Sequence, residues 1–228
     1  MKKIKIITAL FFISLLFLLV SCEEGSNEID GKKPADVKSI VITMIAKSSA
    51  NPVFESAKIG AIKTAESISE KYSKLDVTID WQTPNNESAS EQAEIIRNAV
   101  KNGTKAIIVS CSDEDTLTQA INYAVENGIA VMTFDSDAPN SKRFAFYGPD
   151  DVEMGKKIIN ELAGLIDGKG KIAILGGNKM ANNLQERVKG IITGAADYPD
   201  IELVGTYYHP ETETDAIADM TEVMKLNP

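Results

Sequence analysis

The chain has 228 residues, with 33 Asp and Glu against 24 Lys and Arg, a formal net charge of −9 and a single histidine. So acidic a surface repels phosphate backbones, which excludes nucleic acid as a partner. One histidine and two cysteines cannot assemble a metal cluster, and no cofactor is called for.

The first elements in chain order concern export. Lys2, Lys3 and Lys5 precede an apolar run from Ile6 to Val20, the basic tip and short hydrophobic stretch of a bacterial export signal. The run is short for a bilayer span. Leu19-Val20-Ser21-Cys22 resembles the lipobox of bacterial lipoproteins, which implies cleavage after residue 21 and lipidation at Cys22. Removing the three lysines would take the formal charge from −9 to −12. With Cys22 acylated, Cys111 is left alone and no intrachain disulfide is expected. Residues 22–37 are polar and poor in large apolar groups, the composition of a flexible tether.

From Lys38 the pattern alternates strand and helix. Ser39–Ile45 is a β-branched apolar run that reads as a strand buried on both faces. Pro52–Tyr72 follows as a helix, with Phe54, Ala57, Ile59, Ala61, Ile62, Ala65 and Ile68 suited to packing on a sheet. Val77–Trp81 is the next strand and Ser88–Lys101 the next helix, with Ala93, Ile96, Ala99 and Val100 inward and Asn102-Gly103 as its C-cap. Ala106–Ser110, the helix Glu114–Glu126, its terminator Asn127-Gly128 and the strand Ile129–Phe134 complete a first round. After Gly148-Pro149 a second round begins: helix Val152–Ile166, strand Lys171–Leu175, helix Leu184–Ala196, strand Ile201–Tyr207 and helix Thr214–Leu226. Such alternation predicts an α/β fold with parallel sheets flanked by helices.

Parallel sheets bind ligands beyond the carboxyl ends of their strands. Those ends carry Lys47 to Phe54, Ser110 to Asp113, Asp135 to Asp137, Gly176 to Asn178 leading to Asn183 and Arg187, and Tyr208 to Glu211. Short polar side chains with an aromatic and an arginine among them suit a hydroxyl-rich ligand, accepting from and donating to vicinal hydroxyls. Each residue also has a plainer reading. Asn51-Pro52 can cap a helix, Asp135 can hold a turn, Arg187 can be a solvated helix face, and Phe54 and Cys111 can be core.

Several of these stretches resemble the sugar-binding proteins of bacterial ABC importers, the ribose-binding-protein-like group of type I periplasmic binding proteins. They are Asn51-Pro52-Val53-Phe54, Gly103 to Ser110, Val131 to Asp137, Tyr147 to Asp151 with Gly155, and Asn183 to Gly190. The resemblance runs from Lys38 onward. It implies a two-lobed fold, with an N-terminal lobe over 38–148 and a C-terminal lobe over 149–228. It also implies ligand binding by Asn51, Phe54, Ser110, Asp135, Asn183 and Arg187. Ser136 and Val53 depart from the ribose-binding pattern, which argues against ribose itself. Against the family's length, the second lobe is expected to be incomplete.

Catalysis finds no support: there is no Gly-x-Ser-x-Gly elbow, no His-Glu-x-x-His and no phosphate-cradling loop with lysine. The implied role is a monomeric, membrane-anchored extracytoplasmic lipoprotein handing a sugar to an ABC permease. Two alternatives stay open, ligand sensing for a chemoreceptor or sensor kinase and a non-functional truncated copy.

Overall fold

The computed structural model describes residues 36–227. The expected signal segment, the lipidation site Cys22 and all but the end of the tether lie outside the described residues.

Five parallel strands form the first sheet: β1 (Lys38–Ile45), β2 (Leu75–Trp81), β3 (Ala106–Val109), β4 (Ala130–Phe134) and β5 (Ala145–Tyr147). Their order is β2-β1-β3-β4-β5, so the chain reverses direction across the sheet at β1 and opens a crevice beyond the carboxyl ends of β1 and β3. Three helices connect these strands, α1 (Val53–Lys71), α2 (Ala89–Lys101) and α3 (Glu114–Glu126). Ser88 and Asp113 start α2 and α3 by accepting from the N–H of Glu91 and Thr116, which satisfies donors that the helix itself leaves open. Gly103 and Gly128, both left-handed at φ 80 and 79, end them as the sequence predicts.

The core lies between α2, α3 and the sheet. Ile45, Ile96, Ile107, Val109, Leu117, Ile121 and Val131 are all buried there, each contributing about 1.5–3 kcal/mol. Expectation and structure part on the opposite face. On α1 only Phe54 and Ala65 are buried, while Ile59 and Ile62 are exposed. The helix is apolar on more sides than the sheet can meet. Nor is β1 buried throughout: Thr43 to Ile45 are enclosed, but Val41 is exposed, before the sheet gains its helical cover.

Beyond β5 the chain enters α4 (Asp151–Leu165), β6 (Lys169–Leu175), α5 (Asn182–Ala195), β7 (Asp200–Tyr207) and α6 (Glu213–Leu226). Strands β6 and β7 pair in parallel as a second sheet. Helices α4 and α5 cross at glycines. A Cβ on Gly155 would lie 2.1 Å from the Arg187 carbonyl oxygen, and one on Gly190 2.1 Å from that of Val152. Only hydrogen fits, so the two backbones approach closely.

Candidate functional site

Asp135 follows the last residue of β4 and adopts a left-handed backbone at φ 59. Aspartate tolerates this conformation better than most residues, and it turns the carboxylate out of the strand path. The Ser110 hydroxyl, at the end of β3, donates to Asp135 Oδ2 at 2.7 Å. From the first turn of α5, Asn183 Nδ2 reaches Asp135 Oδ1 at 3.4 Å. Ser110 and Asn183 are buried. Three of the six predicted ligand-binding residues therefore meet, and the meeting joins the edge of the first sheet to the helix that follows β6.

The other three line a cavity of about 1210 Å³ that runs from the loop after β1 along β6 and its flanking helices. Asn51 Oδ1 accepts from the Val53 N–H at 3.2 Å, a local turn one residue ahead of the helix N-cap, Pro52, which has no side-chain cap. Phe54 is buried edge-on against Phe134, ring centroids 6.3 Å apart. Arg187, on α5, is no solvated face: its Nη2 and Nε donate to one oxygen of Asp151, at 2.6 and 3.2 Å. Burial pushes the Asp151 carboxyl above its ordinary value, Arg187 pulls the other way, and the neighbouring charge of Asp135 adds to the rise. The Asp135 carboxylate is thus near enough to Asp151 for their charges to interact.

The same cavity is walled by residues outside the predicted set, Lys47, Glu87, Asn178, His209 and Glu211. Lys47 Nζ lies 3.3 Å from Glu211 Oε1 and 3.9 Å from Glu87 Oε1, with only 4% of its side chain exposed. Asn178 Nδ2 donates to Glu87 at 2.8 Å, and Asn182 to Glu114 at 3.0 Å. Burial raises the Glu87 carboxyl above its usual range; Lys47 opposes the rise and Glu211 reinforces it. Glu211 itself is left-handed at φ 58, held by its N–H donating to His209 Nδ1 at 3.1 Å. Further along, the cavity wall turns apolar at Leu162, Ile172, Ile174 and Val188.

Gln92 was not foreseen either. Fully buried on α2, it donates to the carbonyls of Ala46 and Ser110, both at 2.8 Å, and accepts from the Ser112 N–H at 3.0 Å. It pins the loops after β1 and β3 to each other. Its signal was a polar residue on the apolar face that carries Ala93 and Ile96.

Two parallel α/β units with polar groups converging on the cleft between them define a two-lobed binding protein of the type I periplasmic class. The chain belongs to the family described as periplasmic binding protein domain, which matches residues 42–228. Similar proteins include the xylitol-binding protein of Mycolicibacterium smegmatis, 29% identical over 59% of this chain and 39% of that one. The ribose import binding protein RbsB of Bacillus subtilis is 25% identical over 77% of this chain and 55% of its own length. The chain thus spans about half the length of the curated relatives it matches. Among solved structures, an ABC transporter solute binding protein from Burkholderia graminis in complex with D-arabinose superposes with a TM-score of 0.73 at 28% identity, covering 85% of this chain and 65% of that one. A structure described as the XylFII–LytSN complex gives 0.75 at 25% identity, covering 84% and 67%.

Proposed function

We propose that this chain captures a small hydroxyl-rich ligand, a sugar or sugar alcohol, outside the cytoplasm and presents it to an ABC importer. It acts as a monomeric binder rather than an enzyme, divided near Gly148 into lobes of 38–148 and 149–228. The observation that carries this reading is the meeting of Ser110, Asp135 and Asn183 across the cleft, beside a cavity into which Asn51, Phe54 and Arg187 are brought. Asp135 can accept two hydroxyls once its present partners yield, and Phe54 supplies an aromatic ring to pack against the C–H surface of a sugar. The relatives support the ligand class, since they are described as xylitol-binding, as ribose-importing or as bound to D-arabinose. Closure is favoured only by the extra contacts a ligand makes in the closed form.

The test is a thermal-shift screen of monosaccharides and sugar alcohols, in which at least one neutral member raises the melting temperature and Asp135→Ala abolishes the rise. Stabilisation retained in Asp135→Ala would place the site elsewhere. Anchoring through Cys22 follows from the lipobox resemblance; labelled palmitate should enter the wild type and not Cys22→Ser. A second reading, in which the ligand state is read by a sensor protein, draws on the similarity to XylFII in its complex with LytSN.

A further inference from the structure

Among the described residues that wall the cavity, Lys47 and Arg187 are the lysine and arginine. Neither is free. Lys47 is shared between Glu211 and Glu87, and Arg187 donates one hydrogen each from Nε and Nη2 to Asp151. Cationic side chains are the usual means of holding a carboxylate or phosphate. Here an anionic ligand would have to share either cation with a carboxylate that is itself removed from water and already offsets its charge. The side chain of Asp151 is 7% exposed and that of Glu87 13%. A buried charge stripped of its partner is strongly unfavourable. The neighbouring Asp135 carboxylate, held by two neutral donors, adds a further repulsion. Two cations stand against Asp135, Asp151, Glu87 and Glu211, and the balance at the site is negative.

We infer that Glu211 and Asp151 are charge-selectivity residues: by holding Lys47 and Arg187 in ion pairs they restrict the cavity to ligands without a negative charge, rejecting sugar acids and sugar phosphates. This rests on the ligand-capture reading above and goes beyond it, since neither residue belongs to the set proposed to touch the sugar. Arg187 keeps the remaining donors of its guanidinium for neutral hydroxyl or ring oxygens. The α4–α5 crossing, fixed by Gly155 and Gly190, sets Asp151 against Arg187 before any ligand arrives.

The experiment is a thermal-shift and calorimetry panel on the whole chain near neutral pH. It compares ribose, xylose and glucose with their aldonic or uronic acids and their phosphate esters, matched in concentration. At least one neutral sugar should stabilise the protein, with its acid and its phosphate ester binding at least about 100-fold more weakly. Glu211→Gln or Asp151→Asn should narrow that gap tenfold or more by releasing a cation to the anion. An acid or phosphate ester that stabilises the wild type as well as its neutral parent overturns the inference while leaving ligand capture standing. A preference for neutral sugars left unchanged in both variants overturns the role given to Glu211 and Asp151. Should a variant fail to fold, the wild-type ratio still decides. Silence across the whole panel overturns the ligand-capture reading, and this inference with it.

Discussion

Gln92 is a single side chain on which two loops depend. Its amide donates to Ala46 and Ser110 and accepts from Ser112, so Gln92→Ala leaves two carbonyls and one N–H without partners in the interior. Each such orphan costs about 1–3 kcal/mol, and we expect a loss of about 3 kcal/mol or more in urea unfolding. Cys111 shows the opposite behaviour, a residue whose chemistry is switched off. It is fully buried, and burial first, with the charge of Asp137 second, drives its thiol far above the ordinary range. Since the thiolate is the reactive form, an alkylating reagent should spare Cys111 in the native protein and label it in denaturant, as peptide mapping would show. At this scale the sequence was legible where a short polar side chain directly follows a strand, as Ser110 and Asp135 do, and these two meet. It was silent on the pairing of Lys47 with Glu211, which joins positions 164 apart and which no local pattern announces.

The elements were read with fair fidelity because their signals are local. Asn-Gly at the ends of α2 and α3 requires a left-handed residue that glycine supplies freely, and both positions have it. Strand β5 was missed since three residues are too few for an alternation to register. The contact of α4 with α5 was equally invisible. Glycines at 155 and 190 look like weak helix positions, yet each is required by a carbonyl of the other helix. Gly190→Ala would force its Cβ into the Val152 carbonyl, 2.1 Å away, and the helices must separate. The expected loss is about 1–3 kcal/mol, measured by chemical denaturation. Because Asp151 and Arg187 face each other across this crossing, the variant should also blunt the proposed discrimination between a neutral sugar and its acid.

At the scale of the molecule, the two sheets are tied by polar side chains rather than by a shared apolar core. Lys47 reaches Glu211, Asn178 reaches Glu87, Asn182 reaches Glu114 and Asn183 reaches Asp135. Such ties suit the opening and closing proposed above, because water can replace each of them where it could not replace buried apolar area. Lys47 is the critical one, since its single charge sits between two carboxylates. In Lys47→Met, Glu87 and Glu211 would face each other uncompensated, at a cost of about 3–5 kcal/mol for a buried pair deprived of one partner. The lobes should part, and X-ray scattering should record a larger radius of gyration than in the wild type. The penalty must also depend on pH. Burial already lifts the Glu87 carboxyl above 4.5, with Glu211 adding to the rise, and loss of Lys47 removes the opposing pull. A carboxyl raised in the folded state binds its proton more readily there than in the unfolded chain, so acid favours the fold between the raised value and 4.5. The stability gap between Lys47→Met and wild type should therefore be widest near neutral pH and shrink on acidification toward that value. A gap that is constant or widening over the same range would show that Lys47 acts through packing, and that charge does not hold the lobes together.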